Sequence, residues 1–364
     1  MGVAGDTGHE SINKPGFVKT SDLNRNRVTL TVSQNLFSGF GTRAGHSGAK
    51  LRADSAAQRL RSLQQNLLIE GISAYYNVLR QSRLIEINKQ NEDRIKKKLK
   101  LEDERVERGS GKAVDVLLAK TRLQLATEQR FLFEGGLYEA RARYVLFFGR
   151  SPTVPEMENP KFDLTILPTD IEDAESASVK GNPLLQAGRL DVAAAQRRRA
   201  EVRSGFFPRV DLVGKINRED DVDATRGIRR DWSVLLQVSW DLYSGLSTRS
   251  AARGVSHDHV AAQNNLYFGE RQVRQDLAIA WHQLKTSQKR VDLFKNAGVI
   301  AVEVFEARQH LRRSGKETAI NVLDAQSEVF GAQINLVSAE FDPQIAAFRV
   351  LFAMGELTPE TLSL

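Results

Sequence analysis

The sequence predicts a mainly α fold with a small β part, in which long antiparallel coiled-coil-like helices follow short strands and the whole is built from two structural repeats. Three observations predict it. The chain aligns with itself at an offset of 206 residues, each copy opens on apolar–polar alternation of period two, and a long helical stretch with seven-residue apolar spacing follows each strand.

The repeat sets the frame for everything else. Val32-Ser33, Leu36-Phe37-Ser38-Gly39 and Thr42-Arg43 fall on Val238-Ser239, Leu242-Tyr243-Ser244-Gly245 and Thr248-Arg249. The same offset places Ala74, Tyr75 and Val78 on Ala280, Trp281 and Leu284, then Gly109 on Gly315, Asp115-Val116-Leu117 on Asn321-Val322-Leu323, and Gly149 on Gly355. A single register held this far marks a duplicated unit far longer than a solenoid repeat. The copies occupy residues 1–150 and 181–364. Between them, residues 151–180 hold Pro152, Pro155, Pro160, Pro168 and an acidic run from Asp170 to Glu175, and read as an extended connector.

Strands lead each copy. Val234, Leu236, Val238, Trp240 and Leu242 alternate with Ser233, Gln237, Ser239 and Asp241, and Val28, Leu30, Val32 and Leu36 alternate with Thr29, Thr31, Ser33 and Asn35. A further strand is expected at Pro208–Asn217, preceded by a helix at Pro183–Arg203. Such strands suit a membrane barrel or a half-buried sheet, and so few cannot close a barrel within one chain.

Long helices come next. Leu60, Leu63, Leu67, Ala74, Val78 and Ile85 recur by threes, fours and sevens, as do Leu266, Val273, Ala280, Leu284 and Val291, and no proline falls between Thr42 and Gly149. The breaks lie at Arg108-Gly109-Ser110-Gly111 and Ser314-Gly315-Lys316, where glycine lets the chain reverse. Each copy is therefore strand, long helix, tight turn, long helix back.

Composition narrows the function. With 41% hydrophobic and 27% charged residues the chain is neither disordered nor a bundle of spanning helices, and with no cysteine it has no disulfide or thiolate chemistry. The net charge of +7 is spread along the chain; the runs Lys96-Lys97-Lys98 and Arg197-Arg198-Arg199 read as solvated helix faces, so no nucleic-acid partner is expected. Gly39-Phe40-Gly41-Thr42-Arg43-Ala44-Gly45 has one residue too many for a dinucleotide fingerprint and loses its second glycine in the other copy. His257-Asp258-His259 cannot chelate one ion from a helix, because residues two apart point to different sides. No catalytic set recurs in both copies, and neither an enzyme nor a cofactor is expected.

The junctions Asn35-Leu36-Phe37-Ser38-Gly39 and Asp241-Leu242-Tyr243-Ser244-Gly245, with the turn segments Arg105–Leu117 and Gly315–Ala325, resemble the TolC family of outer-membrane channels over nearly the whole chain. The segment Ala307–Gly355 most resembles the branch serving type I secretion, including adhesin export. The resemblance implies a homotrimer whose four strands per chain close one twelve-stranded barrel in the outer membrane, with the helices forming a periplasmic tunnel. It implies no cofactor, and as partners a periplasmic adaptor, an inner-membrane transporter and outer-membrane lipid. By the same match Gly109, Ser110, Gly315 and Lys316 would contact the adaptor, and Asp115, Asn321 and Asp324 would lie at the periplasmic constriction, with three Asp324 carboxylates forming an acidic ring. Glu317 stands where the family's better-known gates use an arginine, so those gating contacts do not transfer. The resemblance implies a passive duct for type I protein secretion; drug efflux within the same family and a cytosolic coiled-coil scaffold are the alternatives.

Met1 opens onto GVAGDTGHESINKPG, without a secretory signal, and the offset puts the counterpart of helix Pro183–Arg203 before Met1. A truncated start is therefore expected, with Gly2–His9 as the remnant of an incomplete first strand.

Overall fold

The computed structural model describes residues 2–9, 12–14, 17–19, 24–160, 164–220 and 227–361. In chain order the elements are β1 (Gly2–His9), β2 (Ile12–Lys14), β3 (Phe17–Lys19), β4 (Asn24–Ser38), α1 (Gly41–Glu107), α2 (Ala113–Phe148), α3 (Ile171–Gly181), α4 (Pro183–Arg203), β5 (Arg209–Asp220), β6 (Ile228–Ser239), α5 (Ser247–Arg313), α6 (Ala319–Glu340) and α7 (Asp342–Met354). The two long helices, α1 and α5, are each 67 residues, and both their ends obey the 206-residue offset.

The chain divides into two compact units, Met1–Ala56 with Gly188–Leu266, and Ala57–Ala187 with Tyr267–Leu364. They do not coincide with the sequence copies at 1–150 and 181–364. Each copy gives its strands to the first unit and its helix turn to the second.

In the first unit an antiparallel sheet runs in the order β1-β4-β5-β6. Directly opposed residues of an antiparallel ladder share a face, so the register sorts the side chains. Leu30, Ile216 and Trp232 form one row, and Gln34, Leu212 and Leu236 another on the same face. The opposite face carries Thr29 with Asn217 and Asp231, and Asn35 with Asp211 and Gln237. Polar pairs stitch that second face: Asn35 Nδ2 donates to Asp211 Oδ1 at 2.8 Å, Asn217 Nδ2 to Asp231 Oδ2 at 2.9 Å, and Arg27 Nε to Glu219 Oε1 at 2.7 Å. The apolar face is left bare by the chain's own residues, Trp232 being 77%, Val234 61% and Leu236 64% exposed.

Three details depart from the sequence pattern. Leu36 is the extra residue of a bulge between Asn35 and Phe37, so Phe37, opposite Val210, takes the place expected for Leu36. Strand β6 ends at Ser239, since its ladder partner β5 begins at Arg209, and Trp240 and Leu242 lie beyond it. Leu235 and Val213, directly opposed, put an apolar pair on the otherwise polar face.

At the strand-to-helix junctions two successive residues take positive φ in both copies, Gly39 (60°) with Phe40 (67°) and Gly245 (62°) with Leu246 (66°). This is a structural turn, not a phosphate cradle. A Cβ at Gly39 would sit 2.7 Å from the Ser204 carbonyl oxygen, which excludes any other residue there.

The second unit holds the described buried core. Leu277, Trp281 and Leu284 of α5 pack with Ala347, Val350 and Met354 of α7 and Ala174 of α3. Ile69, Tyr76 and Leu84 of α1 pack with Phe341, Phe348 and Leu351, and Val78 with Ala140 and Tyr144 of α2. The predicted stripe of α1 is thus buried at Ala74, Val78 and Ile85, whereas Leu60, Leu63 and Leu67 are exposed in the single chain. The acidic stretch of the connector is helical rather than extended: Glu172 and Asp173 sit in the first turn of α3, where the helix dipole favours negative charge. Pro343 interrupts the second copy between α6 and α7, while the matching stretch of the first copy is the continuous α2.

Candidate functional site

The two helix turns are the same structure built twice. Gly109 has φ 71° and Gly315 φ 72°. The Gly109 N–H donates to the Val106 carbonyl and that of Ser110 to Arg105, both at 2.9 Å; Gly315 donates to Arg312 at 3.0 Å and Lys316 to Leu311 at 2.9 Å. Both patterns are Schellman motifs, in which the left-handed residue returns the last carbonyls of the helix to hydrogen bonding. Gly109, Ser110, Gly315 and Lys316 are all exposed, and no heavy atom stands within 4 Å of a Cβ placed on either glycine.

The helices that leave the turns start differently. Lys112 precedes α2 without a side-chain cap, and Asp115 brings its charge to the first turn. Thr318 caps α6, its hydroxyl accepting from the Asn321 N–H at 3.3 Å. Asn321 donates its side-chain amide to Glu317, which also accepts from the Thr318 N–H at 3.0 Å; with Arg308 nearby, these bonds hold the Glu317 carboxyl below the usual range. Arg308 in turn donates to the Asn321 carbonyl at 3.2 Å. Asn321 is therefore bound into the second turn, whereas Asp115 has no side-chain partner among the described residues.

Asp324 is placed otherwise. Its carboxylate pairs with Arg122 of α2, and its counterpart at the 206-residue offset is Leu118. The Asp324 carboxylate is thus charge-compensated within its own chain.

Further links join the two copies behind the turns. Arg312 Nη2 lies 2.5 Å from the buried carboxylate of Glu102, with Arg105 at 3.4 Å from the same oxygen. Lys98 Nζ donates to Gln326 Oε1 at 3.2 Å. Burial, more than the neighbouring Arg312 charge, pushes the Lys98 amine down to about 8. The basic run Lys96-Lys97-Lys98 is therefore solvated at its first two residues only.

Arg122, Glu102 and Arg312 carry no mark in the sequence, and Lys98 reads there only as part of a solvated face, because these partners are more than two hundred residues away. One signal was present: Glu102 falls on Arg308 at the repeat offset, an exchange of charge that a copy packing against its duplicate can use.

Long helical hairpins with matched glycine turns, attached to a four-stranded sheet that bares one apolar face along β4, β5 and β6, define the class: a subunit of a multi-chain membrane channel. The comparisons with known proteins agree. The chain belongs to the outer membrane efflux protein family, whose model matches residues 4–149 and 176–356. It is 24% identical to the outer membrane efflux protein BepC of Brucella suis over 98% of this chain and 78% of that one. It is 22% identical to the outer membrane protein TolC of Vibrio cholerae (86% and 73%), and 23% to the alkaline protease secretion protein AprF of Pseudomonas aeruginosa (96% and 73%). Among solved structures CusC matches with a TM-score of 0.87 at 13% identity, covering 97% of this chain and 82% of its own. The Campylobacter jejuni channel CmeC matches at 0.84 and 14%, covering 100% and 79%.

The chain is accordingly an outer-membrane channel subunit with a periplasmic extension, not an enzyme. It works as a homotrimer with a periplasmic adaptor and an inner-membrane transporter. Membership sets aside the cytosolic scaffold. It also accounts for the bare sheet face: in a homotrimer three such sheets can close into one barrel with the apolar face outward.

Proposed function

We propose that this channel is the passive outer-membrane duct of a type I protein secretion system. The observation that carries the reading is the second turn, where Gly315-Lys316-Glu317-Thr318 leads into Asn321 and Asp324, the segment that most resembles the secretion branch. The similarity to AprF, named for alkaline protease secretion, over 96% of the chain supports it. In this reading Gly109, Ser110, Gly315 and Lys316 contact the adaptor, and Asp115, Asn321 and Asp324 lie at the periplasmic constriction. The exposure of Gly109, Ser110, Gly315 and Lys316 and the repeated turn geometry support the adaptor role.

Small-molecule efflux is the second reading, favoured by the similarity to BepC. One experiment separates them. In a host lacking its own channel, the protein is expressed with a type I transporter, its adaptor and a cargo protein, and both cargo in the medium and drug susceptibility are measured. The secretion reading predicts cargo export with little change in drug tolerance. Restored drug tolerance without cargo export would sink it in favour of efflux.

A further inference from the structure

An open cleft of about 720 Å3 lies between α1, α5 and α7 in the second unit, away from the helix turns. Its floor is apolar, with Ile345 and Ala346 from the core, but its walls are cationic. Arg80, Arg290 and Arg349 line it together with a single carboxylate, Asp342, the only acid among the lining residues. The cleft therefore carries an excess of two positive charges.

That one carboxylate is shared. Arg80 Nη2 lies 2.6 Å from Asp342 Oδ1, and Arg290 Nη1 3.5 Å from Oδ2. Two guanidinium groups thus already converge on one oxyanion. The remaining capacity is unanswered: Arg349 reaches only the Gln283 amide oxygen, at 3.5 Å. Among the described residues Arg349 has no carboxylate partner. Guanidinium forks match oxyanions in pairs of hydrogen bonds, and a concave wall of one sign concentrates the opposite ion.

We propose that this cleft binds a divalent oxyanion with the chemistry of phosphate or sulfate, with Arg290 and Arg349 as the principal ligands and the Thr286 hydroxyl on the same wall. Asp342 is the internal competitor that occupies part of the site in the free protein. The charge excess matches two negative charges, and the single acid, already engaged, leaves nothing to hold a cation.

The test is a titration of the maltoside-solubilised trimer with inorganic phosphate or sulfate, against chloride at matched ionic strength, read by calorimetry and by melting temperature. Saturable binding of the divalent anions is expected. Arg349→Gln and Arg290→Gln should each weaken it roughly tenfold, the loss of one charge-assisted contact, and Asp342→Asn should tighten it by removing the competitor. Arg349 is exposed, so its variant folds even where Asp342→Asn perturbs the start of α7. A separate arm adds phosphatidylglycerol in mixed micelles. Binding to phosphate marks a free oxyanion site. A response to the lipid alone, no response beyond chloride, or equal binding by the Arg290→Gln/Arg349→Gln double variant would overturn the proposal.

Discussion

Arg122 Nη2 stands 2.5 Å from Asp324 Oδ1, tying α2 of the first copy to α6 of the second. Both side chains are about half exposed, so the pair is worth only about 0.2–1 kcal/mol to stability. Its larger effect is on charge. If Asp324 lies at the constriction, as proposed, Arg122→Gln unmasks three carboxylates and raises cation preference in planar bilayers, whereas Asp324→Asn lowers it. Equal reversal potentials in the two variants would remove these residues from the conduction path.

The link between Glu102 and Arg312 is of another kind, because both side chains are largely buried. Removing one partner of such a pair strands the other charge. Arg312→Gln is predicted to destabilise the protein by about 3 kcal/mol, with Arg312→Lys losing less. Thermal denaturation of the two variants checks the order; a loss within error of zero for Arg312→Gln would show that Arg105 alone satisfies Glu102.

Lys98 gives the tip region a pH dependence of defined sign. Burial pushes its amine down to about 8 in the folded protein, against the ordinary lysine value of 10.5. Between those values the unfolded chain holds more protons, so this group makes stability rise with pH across that window and opposes folding most fully below it. Lys98→Met should raise the melting temperature at pH 7, and the gain should shrink as pH climbs from 8 to 10. A gain that does not change with pH would contradict the assignment.

At Gly109 and Gly315 the backbone φ, not crowding, excludes other residues, since open space surrounds both. Alanine at either position should cost about 1–2 kcal/mol and asparagine less. If the turns meet the adaptor, Gly315→Ala also reduces its co-purification. Full retention of both stability and adaptor binding would argue against a role for the left-handed turn.

Much of this fold could be read from the residues. The duplication survives in the sequence because the junction glycines, the turn glycines and the heptad positions all carry backbone or packing constraints that repeat with the unit, and α1 and α5 keep the 206-residue offset at both ends. The alternation of β4, β5 and β6 gave the two faces of the sheet. Other features depend on partners far along the chain. The bulge at Leu36 and the early end of β6 are set by where β5 begins, which no local pattern in either strand encodes. The helix α3 was hidden by flanking prolines, although its acidic first turn was in view. At the candidate site the turns were legible and the electrostatics were not: Asp324 looked like a bare acid until α2 brought Arg122 beside it.

In the assembled channel the face carrying Trp232, Val234 and Leu236 is expected to meet lipid. The chain has three tryptophans, so single-tryptophan versions are accessible. The decisive measurement is fluorescence quenching by brominated lipid in reconstituted trimers that keep only Trp232, compared with trimers that keep only the buried Trp281. Strong quenching of Trp232 and little of Trp281 is expected. Quenching of Trp232 by aqueous iodide, with none by the brominated lipid, would contradict it.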